Sequence, residues 1–249
     1  VSSGRRRWIP RVNARRVVRL VAVAAVVFVA ATLLPVVMLR WVDPPTSAFM
    51  LERRAAGVMF PSRRVPIVYQ WTDWNAIAPS MGLAAIAAED QNFLAHAGFD
   101  YESIRKAMEQ KRRRGGMRGA STITQQVAKN LFLWPGRNFA RKGLEAWFTV
   151  LIELAWPKQR ILEVYLNVAE FGDGVYGVGA ASRRYFDKKP SRLTRHESAL
   201  LAAVLPSPRR FHVDRPTTYV QRRSWWIERQ MAHLGSGHLA VLDTRGRGR

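Results

Sequence analysis

The pattern of apolar and polar positions divides the chain into unequal parts. Val1 to Arg19 is polar, with seven arginines (Arg5, Arg6, Arg7, Arg11, Arg15, Arg16, Arg19) and no acid. From Leu20 to Leu39 no residue is charged. At a helical rise of ~1.5 Å per residue such a run reaches ~30 Å, the hydrocarbon thickness of a bilayer. Arg40 and Trp41 close it, and Pro35 lies late in the run, where membrane helices tolerate proline. The competing reading is a cleavable signal peptide. The apolar core is too long for one, and no A-x-A-like site follows it directly, which favours an uncleaved anchor. The arginine excess ahead of it orients the N-terminus to the cytoplasm and the remainder outside.

Residues 40–76 read as a membrane-proximal linker, punctuated by Pro44, Pro45, Pro61 and Pro66 and by the pairs Arg53-Arg54 and Arg63-Arg64. A short extended piece is expected over Val65–Trp71. The basic pairs either lie near anionic lipid or are simply solvated. From residue 77 the apolar spacing turns helical. It predicts helices over 80–90, 101–113, 121–133, 141–156, 158–168, 195–205 and 219–234, and one that leaves the Gly-rich run 172–179 and ends at Phe186. Asp100 is an expected N-cap, and Thr194 with Glu197 an expected capping box. Lys111–Gly119 reads as a basic loop and residues 235–249 as a frayed basic tail. Period-2 alternation is almost absent, so the domain over 77–234 is mainly α.

Composition narrows the partners. The net charge is +22 and the pI about 11.5, which asks for an anionic partner: nucleic acid, a membrane surface or a phosphorylated substrate. Of the 40 basic residues 33 are arginine, a bias that genome composition can also produce. The absence of cysteine excludes disulfides, a thiolate nucleophile and Cys-ligated zinc.

Two stretches carry candidate chemistry. Ala88 to Asp100 reads A-E-D-Q-N-F-L-A-H-A-G-F-D, with Glu89 and Asp90 ending an apolar run and His96 and Gly98 following. Apolar surroundings raise a carboxyl pKa, which is how a general base is tuned. Gly119 to Leu133 reads G-A-S-T-I-T-Q-Q-V-A-K-N-L-F-L, unusually polar at the head of an otherwise apolar helix. Further motifs follow in order: Arg141-Lys142-x-x-Glu145, then Ile161-Leu162-Glu163-x-Tyr165-Leu166-Asn167, then Gly174-Val175-Tyr176-Gly177 through Tyr185-Phe186. Together these five motifs, over about 77–208, resemble the peptidoglycan glycosyltransferases of glycosyltransferase family 51. The run Asn167 to Gly172 resembles their monofunctional branch in particular. Asp187 departs from the pattern, since relatives usually carry glycine there.

The resemblance implies a lysozyme-like helical catalytic domain behind a single transmembrane helix in the bacterial inner membrane, with the catalytic domain in the periplasm. It implies lipid II and a growing glycan strand as substrates, membrane lipid as neighbour, and division or elongation proteins as candidate partners. The 4-hydroxyl of one sugar would attack the anomeric carbon of the other, inverting it, with undecaprenyl pyrophosphate leaving. Glu89 is the implied base. Lys129 and Arg137 are the implied cations for the pyrophosphate, with Arg141 and Lys142 as further candidates. Glu145, the second catalytic carboxylate, either positions the donor or holds the cation set, unless it is only an ion-pair partner for Arg141 or Lys142. Ser121, Thr122, Gln125, Gln126 and Asn130 would contact sugar or phosphate, unless the polar residues only cap the helix. Asp90 and His96 belong to the substrate-binding set or brace the Glu89 turn. No ligand set marks a protein-held metal, although a magnesium ion on the pyrophosphate would suit the chemistry. Leu131, Phe132, Leu133 and Trp134 form either core or a membrane-dipping edge.

Three other function classes compete. A membrane-tethered nucleic-acid binder lacks any recognised motif and would face the wrong compartment, so no nucleic-acid partner is expected. A lytic enzyme of lysozyme type would share the fold and differ in its products. A non-catalytic scaffold is disfavoured by the intact motifs. Ser103-x-x-Lys106 matches the transpeptidase S-x-x-K, but no S-x-N or K-T-G run accompanies it and the length leaves no room for a second domain, so no transpeptidase is expected.

Overall fold

The computed structural model describes residues 14–114, 121–136 and 138–242. The charge-free run lies within a long helix, α1 (Ala14–Met38), which begins early enough to include Arg15, Arg16 and Arg19. By length and composition it can cross a membrane, and only 6% of its apolar window is buried, unlike the core helix of a soluble domain. Its C-terminal half is not a free tether. The indole of Trp147 donates to Thr32 Oγ1 (3.1 Å) and that of Trp156 to the Val36 carbonyl (2.7 Å). Arg160 donates to the carbonyls of Leu39 (3.2 and 3.1 Å) and Val42 (2.9 Å), and pairs with Asp43 and Glu163, both at 2.9 Å. The last carbonyls of any helix lack intrahelical donors, and here the domain supplies them.

Residues 40–76 are not the linker expected. They contain α2 (Ala48–Met59), N-capped by Ser47, and β1 (Val68–Tyr69), which falls inside the expected extended piece. The only buried positions of α2 are Met50 and Gly57, two turns apart, so its apolar stripe is too thin to register in sequence. β1 pairs in parallel with β3 (Val175–Tyr176), which pairs antiparallel with β2 (Glu170–Gly172). The domain therefore begins before residue 77. Strands of two or three residues are too short to show alternation.

The core is helical, as the spacing predicts. α3 (Pro79–Glu89) is apolar on all sides and packs against α7 (Lys158–Val168), α9 (Arg195–Val204) and α10 (Thr218–Leu234). α5 (Ile123–Phe132) packs against α6 (Phe139–Ala155) and α7. α4 (Tyr101–Arg114) is opened by Asp100, whose Oδ1 accepts from Ser103 N at 2.9 Å. α9 opens with the expected capping box, Thr194 and Glu197 each accepting the other's amide.

Two details at the far end differ from expectation. The tail is not frayed through 242: Ser236–Leu239 forms a 3-10 turn, and Leu239 and Leu242 are buried in the core. A Cβ added at Gly82 of α3 would lie 3.3 Å from Leu239 Cδ1. Residues 243–249 lie outside the described residues. Asp187 C-caps α8 (Gly177–Phe186) with φ 51° and ψ 39°, the left-handed conformation that glycine adopts without strain and Asp tolerates at a cost. That conformation accounts for the glycine usual at this position.

Asp187→Gly should raise Tm by about 2 °C, relief of the left-handed strain exceeding the added chain entropy; an unchanged or lower Tm in a thermal melt would contradict this. Arg160→Met should lower Tm by about 9 °C, because it leaves the Leu39 and Val42 carbonyls just past α1 and the Asp43 carboxylate without this donor and takes one donor from Glu163, at a cost of about 3 kcal/mol. A fall of less than about 3 °C would show that the clamp contributes little.

Candidate active site

The site forms where α3 ends. Asp90 leaves helical geometry (φ −161°, ψ 76°) while its amide still donates to Ile86 O at 2.9 Å. Its Oδ2 accepts from Ile123 N (3.0 Å), an amide of the first turn of α5, where the helix end is positively polarised. His96 Nε2 lies 2.9 and 3.1 Å from the two Asp90 oxygens. His96 Nδ1 accepts from Gly98 N (3.1 Å), so the ring proton sits on Nε2 and is donated to Asp90. Gly98 has φ +85°, and a Cβ there would come within 2.7 Å of Thr149 Cγ2. Its carbonyl accepts from Thr122 Oγ1 at 2.7 Å. Thr122 and Gln125 in turn form the capping box of α5.

Asp90, His96, Thr122 and Gln125 thus direct their polar atoms into the protein. Of the two roles open to these four, substrate contact or framing, this geometry fits framing. The physical reason is that a turn carrying a buried carboxylate and the open end of a helix must satisfy those groups internally.

Glu89 points the other way. Its side chain is 14% exposed. Gln126 Nε2 donates to Oε2 at 3.0 Å, and Arg223 Nη2 lies 3.3 Å from Oε1 and 3.4 Å from the Ala88 carbonyl. The buried Tyr165 hydroxyl donates to Gln126 Oε1 (3.4 Å), which turns the amide so that its NH2 meets Glu89. Burial pushes the Glu89 carboxyl above the ordinary range; the Gln126 hydrogen bond and the charges of Arg223 and Lys129 oppose that, and Asp90 adds to it.

Sequence reasoning missed Arg223. The signal was its place beside the buried stripe Val220, Ser224, Ile227 and Met231 of α10, where a solvated arginine is out of place. Tyr165 stood in a recognised motif without a role.

Lys129 follows Gln126 by one turn of α5. Burial lowers its pKa, Glu145 and Glu89 raise it, and Arg141 and Lys142 lower it further, so it sits in the field of both carboxylates. Its ammonium lies 5.8 Å from the centroid of the Phe49 ring on α2. Glu145 is buried and already neutralised: Arg141 Nη1 is 3.2 Å from Oε2, and the Lys142 ammonium pairs with Oε1. Of the two roles open to Glu145, holding the cation set fits this geometry. Arg141 is buried, and its Nε has no partner within the described residues. Asn138 accepts from Arg141 N (2.7 Å) and so caps α6 under the cations. Ser121 is exposed at the head of α5 and Asn130 half-buried. Arg137 and Gly119 lie outside the described residues.

The apolar cluster after Asn130 is mostly core. Leu131 and Leu133 are buried, Phe132 stacks on Phe148 at 4.5 Å, and only Trp134 is open to solvent. Phe139 and Leu154 of α6 are further exposed apolar side chains.

The site thus holds two carboxylates in opposite states. One has a raised pKa and a hydrogen-bonded, half-open approach. The other is locked by two cations beside a partly desolvated lysine. Such a pair suits proton removal at one end and stabilisation of an anion at the other.

The chain belongs to the transglycosylase family, whose model, described as Transglycosylase, matches residues 63–232. A protein of Xanthomonas campestris pv. campestris named biosynthetic peptidoglycan transglycosylase is 55% identical over 226 residues, covering 91% of this chain and 92% of that protein. Proteins of the same name from Xylella fastidiosa and Shewanella oneidensis are each 50% identical, over 90% and 86% of this chain and 92% and 90% of their own length. The match begins ahead of β1, in keeping with the early start of the domain.

A framing role for Asp90 predicts that Asp90→Asn lowers Tm by about 6 °C, through loss of about 2 kcal/mol of charge-assisted bonding. An unchanged Tm together with a raised KM would instead make Asp90 a substrate ligand.

Proposed function

We propose that this chain polymerises peptidoglycan glycan strands from lipid II at the outer face of a bacterial inner membrane, with α1 as its single-pass anchor. The observation that carries the chemistry is the raised-pKa Glu89 with Lys129, whose charge acts on Glu89 and on the Glu145 that Arg141 holds. The acceptor sugar's 4-hydroxyl gives its proton to Glu89, and its oxygen forms the bond to the anomeric carbon of the donor. The bond from that carbon to the pyrophosphate oxygen breaks on the opposite face, so α becomes β. The departing pyrophosphate takes the electron pair and needs positive charge rather than a proton, which Lys129 and Arg141 supply, with Arg137 as a further candidate.

Gln126 and Tyr165 hold Glu89 in register, and Arg223 limits how far burial raises its pKa. Ser121 and Asn130 stand where they can meet sugar hydroxyls. Glu89, Asp90 and Glu145 are all taken by protein donors, so the described residues do not fit a resident metal; a magnesium ion would arrive on the pyrophosphate. The arrangement of α1 and the exposed Trp134, Phe139 and Leu154 suits a substrate whose lipid tail stays in the bilayer.

Glu89→Gln should lower polymerisation of purified lipid II by about 100-fold or more while folding is retained. A variant as active as the parent would remove Glu89 from the role of base. Because Glu89 must be ionised to act, activity falls as pH drops through its raised pKa. Arg223→Met removes a charge that lowers that pKa, so the acid limb of the kcat/KM profile should move to higher pH. An acid limb that stays in place would show that Arg223 does not tune the base.

A further inference from the structure

Away from Glu89, a cavity of about 510 Å³ opens between α2 and residues 61–67. Arg53, Arg54 and Arg64 line it, and no carboxylate does. Arg53 is 13% exposed; it pairs with Asp173, yet its Nε is buried without a partner. Asp173 also lies 4.0 Å from Arg209, which binds Glu170 at 3.2 Å. Arg53 and Arg209 thus share two carboxylates, and Arg54 and Arg64 stand exposed at the cavity with no ion pair among the described residues. Guanidinium groups gathered in a concavity without a counter-charge repel one another unless an anion joins them. Gly57 forms the floor, since a Cβ there would lie 3.3 Å from Arg64 Cγ.

Two further observations say which anion. Val58, which lines the cavity, is 81% exposed, and Met59, next to it in the chain, is 67% exposed, apolar surface that an inorganic ion would leave in water. The Tyr69 hydroxyl, at the end of the segment that walls the cavity, donates to the Pro44 carbonyl at 2.6 Å. That ties the cavity to the chain a few residues beyond α1, where a spanning helix leaves the bilayer.

We propose that this cavity binds the phosphate head of an anionic phospholipid in the membrane that α1 crosses. Arg54 and Arg64 hold the phosphodiester, Arg53 contributes its free Nε–H, and Val58 and Met59 lie against the glycerol and upper acyl region. The inference rests on the anchor reading of α1 and is separate from the chemistry at Glu89.

The full chain, purified in detergent, is to be incubated with phosphatidylglycerol, phosphatidylcholine or inorganic phosphate and examined by native mass spectrometry. The parent should retain one phosphatidylglycerol, resist its displacement by excess phosphate, and retain no phosphatidylcholine. Arg54→Gln/Arg64→Gln should weaken retention by about 30-fold, a factor of about five for each arginine at a lipid surface. Val58→Asp/Met59→Asp should weaken it as well. Equal retention by the arginine variant, equal retention of phosphatidylcholine, or displacement by phosphate would each overturn the proposal. In the same detergent the arginine variant should polymerise lipid II as the parent does. Loss of that activity would assign the arginines to the substrate site and overturn the lipid reading. A parent that retains phosphatidylglycerol but polymerises nothing would sink the proposed function and leave this site standing.

Discussion

The bond from Ile123 N to the Asp90 carboxylate is the constraint on which the rest of the site depends. It joins the end of one buried helix to the start of another, across a gap that sequence separation alone would leave open. α3 stops because Asp90 turns away to meet α5, and that turn leaves Glu89 as the last helical residue, facing Gln126 one turn into α5. His96, Gly98 and Thr122 close the ring around the joint. A buried carboxylate held by a helix terminus and a neutral imidazole is costly to disturb, because each group left behind would be an unpaired polar atom in a dry interior.

The same interior sets two neighbouring acids on opposite courses. Glu89 receives one amide and one guanidinium at 3.3 Å, which do not offset its desolvation. Glu145 receives an arginine and a lysine at close range and is spent on them. Lys129 stands in the field of both, itself partly desolvated, so its charge is felt strongly at whatever anion comes near. This asymmetry follows from burial and the choice of partners.

Much of this was legible in the chain. α7 and α8 run where the apolar spacing puts them, and the Thr194–Glu197 box and the Asp100 cap appear as their side-chain chemistry dictates. The E-D-x-x-F-x-x-H-x-G and S-T-I-T-Q-Q stretches located the site. Sequence did not separate residues that frame the site from residues that face into it. Thr122 and Gln126 look alike on paper; only the direction each takes at the head of α5 shows that one caps and the other meets Glu89. Arg223 lies far along the chain from Glu89 and reaches it through the packing of α10 on α3, which no local pattern reports. α2, β2 and β3 were missed because their burial comes from tertiary pairing and not from their own periodicity.

The indole and guanidinium bonds that fasten the domain to the Val36 carbonyl of α1 and to the Leu39 and Val42 carbonyls just past it have a kinetic consequence. A domain hung on a slack tether would have to find its orientation anew at each encounter. With α1 as the proposed anchor, a domain so fixed would keep two freedoms in a bilayer, drift within the plane and spin about the normal. A lipid-borne substrate would share that plane. Their meeting would then be a search on a surface and not through a volume.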